Sequence, residues 1–531
     1  MTAAPGAGGR APATSLAAVL AARVGAGARF AGLFGTAVPG DGPVLASPAA
    51  PDDAAPAGSV LPYGTEDGRA GTGALLLSAH LAAGGELDTV EALVPAGAAG
   101  YPAVTPLVGA AFWYERELHD LFGVIPEGHP RLEPLTLPLG PGAGPRPRPG
   151  GAGSPRRLEP DEHVLARHVA GKGVFTIPHG PVRSGVLESV EYLVETPGED
   201  IPHLDLRVFY KHRGIEKRFE GLGLLDGVLL AERVEGIASV AHALAYCHAV
   251  ERIAGCEPPW PARLIRVLHA ELERVANHLD VAMRLADAAG LAVAAARFGW
   301  HKERTLRLTG RLCGSRYGRG VVIPGGVSAL PQAGPAEILA GAGGLERDIA
   351  ADSALLMGTA SFLDRLRRTG PLRPERAREH GALGPVGRAS GYADDVRLTR
   401  PYDAYPGLGL PPGEQQADGD ALARLRVRWQ EVGQSFHLIR GAAGELAGDG
   451  TGVLAAVCAP ADGRAAGWAE APQGEVLYDV RVTGGRIVRC RPRSASFHNL
   501  VLMHEVFAGD ILTDFPFIEA SFGLSVAGVA L

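Results

Sequence analysis

The stretch Ala231–His242, reading AERVEGIASVAH, decides how the rest of this sequence is read. It lies inside Gly227–Ile253, an Ala/Leu/Val-rich run at helical spacing, so its charged residues interrupt an otherwise apolar helical face. Glu235 and His242 stand seven residues apart, which on a helix is two turns along one face. A carboxylate and an imidazole so placed could relay protons, because histidine titrates near neutral pH. The other reading pairs Glu235 with an arginine such as Arg233 or Arg274.

Downstream, Arg263–Ala288 repeats Leu264, Val267, Leu268, Leu272, Val275 and Leu279, a stripe that predicts a core-facing helix. Pro258, Pro259 and Pro261 separate it from the preceding helix. Leu291–Cys313, Ala336–Arg368 and Ala421–Ala443 are further helix candidates, and Val476–Val482 and Ile487–Arg491 flank Thr483-Gly484-Gly485 as a hairpin. Upstream, Val186–Val194 and Leu204–Tyr210 read as strands. Gly140–Arg157 holds no apolar residue larger than proline or alanine and reads as a linker. Before it, Arg29–Phe34, Gly73–Leu81 and Val90–Val94 are β-compatible, followed by an amphipathic helix over Phe112–Phe122. The expected fold is α+β. A small N-terminal α+β domain (1–139) and the linker (140–157) precede a large, mainly helical bundle domain with small peripheral β-sheets (158–531).

At 531 residues the chain exceeds one ordinary core, and its net charge of −7 gives no reason to propose nucleic acid as a partner. No run of about 18 uncharged apolar residues occurs. Met1–Gly9 lacks the pattern of a signal peptide, and Met1–Thr14 reads as a disordered tail. Five cysteines, at 247, 256, 313, 458 and 490, form no Cys-x-x-Cys pair and suit a reducing, cytoplasmic compartment rather than a disulfide framework. Gly221, Gly223 and Gly227 miss the dinucleotide-binding spacing by one residue.

Two further constellations carry charge. Trp113–Gly123, reading WYERELHDLFG and followed by Gly128-His129-Pro130, places Leu118, Leu121 and Phe122 on one helical face and Glu115, Arg116, His119 and Asp120 on the other, a solvated or docking face. The second runs from His179-Gly180-Pro181-Val182-Arg183-Ser184-Gly185 to Tyr210–Lys217, reading YKHRGIEK. Its Gly-Pro turn suits a tight loop beside a ligand or an ordinary hairpin.

The first string resembles the signature of a peripheral subunit of respiratory complex I (NADH-quinone oxidoreductase), whose implied role is to dock the neighbouring quinone-site subunit. The second resembles the start of that quinone-site subunit and of membrane-bound nickel–iron hydrogenase large subunits. Ala270–Leu279, Pro324–Val327, Gly384-Pro385 with Arg388 and Gly391, Pro401–Asp403 and Ala471–Glu475 extend the likeness to the quinone-site subunit over most of residues 178–531. The layout resembles the two subunits fused in one chain. The hydrogenases read ERVCGIC where this chain reads ERVEGIA, so Glu235 and Ala238 stand at the first two cysteine positions. Ser525 and Gly528 stand at the second two. The resemblance therefore implies no nickel–iron centre in this chain, since one carboxylate cannot replace four thiolates.

The quinone-site subunit of complex I places an aspartate at the first of those positions, which implies for Glu235 a proton-handling role with His242. By the same likeness Glu216 would be a buried carboxylate passing protons, with its pKa raised by desolvation; its alternative is a salt bridge to Arg213 or Lys217. His179, Arg183 and Ser184 would line the acceptor cavity. Ser184 departs from the histidine that complex I carries before its G-V-L, and the partner tyrosine falls near Leu224. Asn277 and His278 read as core hydrogen-bonding groups, and Cys247 and Cys313 as small buried residues.

The resemblance, closer to the formate hydrogenlyase branch than to respiratory complex I, implies a subunit of a membrane-associated oxidoreductase complex on the inner face of the cell membrane. This chain would bind no cofactor itself. Quinone is a candidate acceptor, and NAD and iron–sulfur clusters would enter through partners. Those partners would be an iron–sulfur small subunit, a ferredoxin-like subunit and membrane ion-translocating subunits. The alternatives are a non-catalytic scaffold and a hydrogenase large subunit.

Overall fold

The structure, a computed structural model, describes residues 10–38, 73–137, 169, 171–183, 188–449 and 452–531. The linker expected at 140–157, and Ser184, lie outside them.

The first sheet has the order β1-β4-β3-β2, built from β1 (Arg10–Pro12), β2 (Arg29–Val38), β3 (Ala74–Ala83) and β4 (Glu86–Val94). β2, β3 and β4 are antiparallel neighbours, and β1 adds in parallel to β4, so residues 10–12 are strand rather than the expected tail. β5 (Gly100–Pro102) pairs with β6 (Ile125–Glu127), and β7 (Phe175–His179), β8 (Glu191–Thr196) and β9 (His203–Arg207) form an antiparallel sheet. β10 (Val322–Ile323) and β11 (Gly326–Val327) form a two-residue ladder. The last sheet is β12 (Gly463–Ala471), β13 (Gly474–Thr483) and β14 (Arg486–Arg493). Its expected hairpin closes on Gly484 and Gly485, both at positive φ (59° and 72°), where a two-residue turn matches strand twist.

α1 (Leu16–Gly25) and α2 (Phe112–Phe122) pack on the first sheet. α3 (Ile215–Phe219), α4 (Leu224–Ala231), α5 (Ser239–Ala254), α6 (Trp260–Ala288), α7 (Ala292–Cys313) and α8 (Pro335–Met357) open the helical unit. Five short helices follow: α9 (Ala360–Leu366), α10 (Pro374–His380), α11 (Gly384–Ala389), α12 (Val396–Thr399) and α13 (Tyr405–Leu408). The long α14 (Ala421–Asp449) completes the bundle, and α15 (Ala495–Leu500), α16 (Met503–Val506) and α17 (Phe515–Phe522) belong to the tail. The predicted α6 stripe is buried from Leu264 to Leu279 and packs against α7 and α14. α5 lies across β12. A Cβ at Gly467 would sit 2.1 Å from the Ala245 carbonyl, so only glycine lets helix and strand approach this closely. Among the described residues no helix is long and apolar enough to cross a membrane.

The charged face of α2 is internal, not solvated. Glu115 accepts from the amides of Val104 and Thr105 at 2.8 and 2.9 Å, Asp120 from those of Leu135 and Thr136 at 2.7 Å, and Arg116 donates to the carbonyls of Glu133 and Pro134. Burying these groups is tolerable because each is hydrogen-bonded. α2 also docks onto the chain's own tail: Glu117 pairs with Arg491 at 3.0 Å, and the Tyr114 hydroxyl meets His498 Nδ1 at 2.9 Å. One apolar cluster accordingly runs from Leu33, Leu77 and Leu118 through Leu204 to Phe497, Phe507 and Phe522.

One cysteine expectation is overturned. Cys256, just after α5, and Cys458, in the segment before β12, form a disulfide. The two are 202 positions apart, so their spacing carried no sign of a pair. Cys247 and Cys490 are free and buried, and Cys313 is free and half-buried.

Candidate functional site

The single helix predicted across 227–253 is broken within Ala231–His242. α4 ends at Ala231, and Ala238, at φ −143° and ψ 39°, precedes α5. Side chains from elsewhere satisfy the exposed backbone ends. Arg213 donates to the carbonyls of Arg233 (3.1 Å) and Val234 (2.5 Å), and also to that of Ala527 in the tail. Glu273 of α6 accepts from the amides of Val240 (2.7 Å) and Ala241 (3.1 Å) in the first turn of α5. Glu235 therefore sits in a turn rather than on a continuous helix face, and still meets His242.

The Glu235 carboxylate is 1% exposed and His242 fully buried. Ser496 Oγ donates to Glu235 Oε1 at 2.6 Å, and Oε2 lies 3.2 Å from His242 Nε2. His242 Nδ1 lies 2.8 Å from the Tyr478 hydroxyl on β13. With His242 neutral, Nε2–H donates to the carboxylate and Nδ1 accepts from the phenol; with it protonated, both ring nitrogens donate. Burial holds Tyr478 well above its ordinary value, so it is a fixed hydrogen-bonding partner at neutral pH. The tail closes over this group. Ser525 N donates to Ser496 Oγ at 3.1 Å, while Ser525 Oγ and the amides of Val526 and Ala527 donate to Glu188. Neither arginine proposed for Glu235 reaches it: Arg233 lies beside Glu232, and Arg274 serves Glu271 and Glu431.

The other expected site residues lie in separate clusters. Glu216 is buried at the start of α3 in ion pairs with Arg491 and, at 3.0 Å, Arg489. Its partners are thus not Arg213 or Lys217; Lys217 pairs with Glu220. Arg183 is held bidentately by Glu519 at 2.7 and 3.0 Å and lies over the Tyr192 ring. His179 makes an edge contact with Phe515 at 5.0 Å.

A cavity of about 390 Å³ adjoins the turn, lined by Gly236, Ile237, Val240, His269, Glu273 and Asn277 among others. His179 and Arg183 do not line it. Burial, opposed by the two amides and reinforced by the charge of Glu235, pushes Glu273 up to about 8. Burial pushes His269 down to about 4, and its Nδ1 has no hydrogen-bonding partner.

Sequence reasoning missed Arg213, Glu273, Tyr478, Ser496 and Glu188. Tyr478 carried a usable signal, since it alternates with Val476 and Val480 and so faces the side of β13 that packs on α5. Glu273 lies one position after the buried Leu272, near enough to the stripe to mark the edge of the helix's inner face. Ser496 and Glu188 act through tertiary folding alone and carried none.

Relatives place this geometry in a family. Residues 291–456 and 452–530 match the family described as respiratory-chain NADH dehydrogenase, 49 Kd subunit, and residues 69–146 match its 30 Kd subunit. Formate hydrogenlyase subunit 5 of Escherichia coli (strain K12) is 30% identical over 82% of this chain and 77% of its own length. The chain belongs to the complex I 49 kDa subunit and hydrogenase large-subunit family. Another family member, the carbon monoxide-induced hydrogenase of Rhodospirillum rubrum, is 31% identical over 65% of this chain and 96% of its own. A chain from the structure titled membrane-bound sulfane sulfur reductase (MBS), an archaeal respiratory membrane complex, superposes with a TM-score of 0.64 at 25% identity. That match covers 68% of this chain and 99% of the other.

The nickel–iron centre of the family's hydrogenase members does not fit here. A Cβ built on Gly528 would lie 2.8 Å from Glu235 Cδ, 2.9 Å from its Oε2 and 2.7 Å from Ser494 Oγ. The space a side chain at 528 would need is already filled by the carboxylate. Ser525 Oγ is turned to Glu188 at 2.5 Å, and Ala238 offers a methyl group. No soft anionic donor remains at the four positions.

Proposed function

We propose that this chain is a subunit of a membrane-associated oxidoreductase complex in which the metal position of its hydrogenase relatives has become a proton-handling group. The observation that carries this reading is the buried chain Ser496–Glu235–His242–Tyr478, packed against Gly528. Electrons arrive from an iron–sulfur small subunit and pass to quinone or another small acceptor, and NAD enters only through partner subunits. Glu235 and His242 hold and release the accompanying proton: the carboxylate orients the imidazole, and the phenol fixes its far nitrogen. A ferredoxin-like subunit and ion-translocating membrane subunits complete the complex, which holds this chain at the inner face of the membrane. The domain division at residues 139 and 158 is part of the same proposal.

The test is the intact complex carrying Glu235→Gln, which keeps shape and removes the charge. General acid–base groups contribute about 10²–10⁴-fold, so turnover falls at least about tenfold while assembly survives, and elemental analysis finds no stoichiometric nickel. Unchanged turnover, or one nickel per complex, refutes the reading. The ion pairs that occupy Arg183 and Glu216 favour a second reading, a non-catalytic scaffold, under which Glu235→Gln is silent.

A further inference from the structure

Glu273 caps α5 and takes no part in the Glu235–His242 chain. It lines the cavity, whereas the buried Glu235 does not. Gly236 and Ile237, the two residues after Glu235, and Val240 in the first turn of α5 line the same cavity. The Glu273 carboxylate grips the amides of Val240 and Ala241, two residues and one residue before His242. His269, which lines the same cavity, has a buried Nδ1 with no hydrogen-bonding partner.

We infer that Glu273 is a second proton-binding site, exchanging protons with the cavity and linked both by charge and through the first turn of α5 to the Glu235–His242 pair. An ionised Glu273 repels the charge on Glu235 and holds the α5 amides with two charge-assisted bonds. A protonated one relaxes the repulsion and weakens its grip on the turn that carries His242. Protons bound at one carboxylate thus oppose binding at the other, as two interacting sites must. The remaining charged groups facing this volume are accounted for. Arg274, the next residue on α6, favours the ionised form; Lys302 is paired with Asp280, Arg316 with Glu303, and Arg319 lies over Tyr317. His269 is held neutral by burial near neutral pH. The position of Glu273 near neutrality, at about 8, lets it change state where a cell works.

The consequence for turnover rests on the proposed proton role of Glu235, but the linkage is measured without it. In the intact complex, infrared difference titration follows the carboxyl band of Glu273, assigned by its loss in Glu273→Gln. Glu273→Asp, which displaces the band, gives the assignment if the glutamine variant does not accumulate. The expected midpoint is near 8, and it moves down in Glu235→Gln, where the neighbouring charge is gone. A midpoint unmoved by Glu235→Gln, or a Glu273 band that titrates in the ordinary carboxylate range, overturns the inference. The proposed function fails by a different observation, unchanged turnover in Glu235→Gln, so the two cannot be confused.

Discussion

Gly528→Ala puts the central packing claim at risk with a single methyl group. The backbone at Gly528 is not among the positive-φ glycines, so alanine there carries no conformational strain and by itself would stabilise by about 0.4–1 kcal/mol through the unfolded chain. The new methyl, however, lands 2.8 Å from Glu235 Cδ, against a comfortable separation of about 3.5–4.0 Å between carbon atoms. The carboxylate must retreat by about 0.7–1.2 Å. That motion strains its 2.6 Å bond to Ser496 or its 3.2 Å contact with His242. Overpacking of this kind costs about 1–3 kcal/mol, so destabilisation wins. In a Glu235→Ala background the obstacle is absent. The Ser494 hydroxyl, 2.7 Å from the same methyl, remains in both backgrounds and cancels in the double-mutant cycle. The expected coupling of about 1–3 kcal/mol corresponds to roughly 5- to 150-fold in hydrogen-exchange protection. Its reporters are the tail amides Val529 and Ala530, both bonded to the Val526 carbonyl. If Gly528→Ala lowers protection equally in both backgrounds, the carboxylate does not fill that space.

Three further outcomes follow from the same contacts. Arg491→Leu strands Glu117 and leaves Glu216 with Arg489 alone, so it should lower stability by about 3–5 kcal/mol, whereas Arg491→Lys recovers part of this; a thermal shift near zero for the leucine variant would contradict the buried pairing. Glu273 has a folded-state pKa raised from 4.5 to about 8, so its stabilising share is fully present below pH 4.5 and is lost as pH rises to about 8. The melting temperature of the wild type relative to Glu273→Gln should fall across that window, and a constant difference would rule the shift out. Closing a loop between positions 202 apart stabilises by up to about 5 kcal/mol in the chain-entropy account, so reduction of Cys256–Cys458 should lower the melting temperature. Non-reducing peptide mapping that finds both cysteines as thiols would dispose of that prediction.

Much of the architecture was legible because it rests on periodicity. The α6 stripe, the hairpin at Gly484–Gly485 and the limits of α2 are local patterns that the tertiary structure had only to accept. The break between α4 and α5 was not legible. Composition favours helix through Glu232–Ala238, and what stops it is Arg213 taking two carbonyls and Glu273 taking two amides, contacts that span 20 to 33 residues. The charged face of α2 misled for the same reason. Amphipathicity separates polar from apolar residues but cannot say whether the polar side meets water or the rest of the protein. Glu235 and His242 were legible as a pair by spacing, although the continuous helix that was to unite them is absent. Glu216, Arg183 and His179 were legible only as charged or turn residues, and the partners that occupy the first two come from 275 to 336 positions away, as Arg491 and Glu519 show.

The tie between the first sheet and the last has a consequence for how this chain comes off the ribosome. Arg29 on β2 bonds Glu475 on β13 at 2.6 Å across 446 positions, and Arg493 on β14 donates to the Ala31 carbonyl. At ~5–20 residues per second, strand β2 emerges some 20–90 s before its partners exist. Until the tail is made, Arg29 lacks Glu475, and Tyr114 of α2, although packed on Phe30 of the first sheet, lacks Phe497 and His498, so nascent chains of intermediate length are the species that chaperones would be expected to hold.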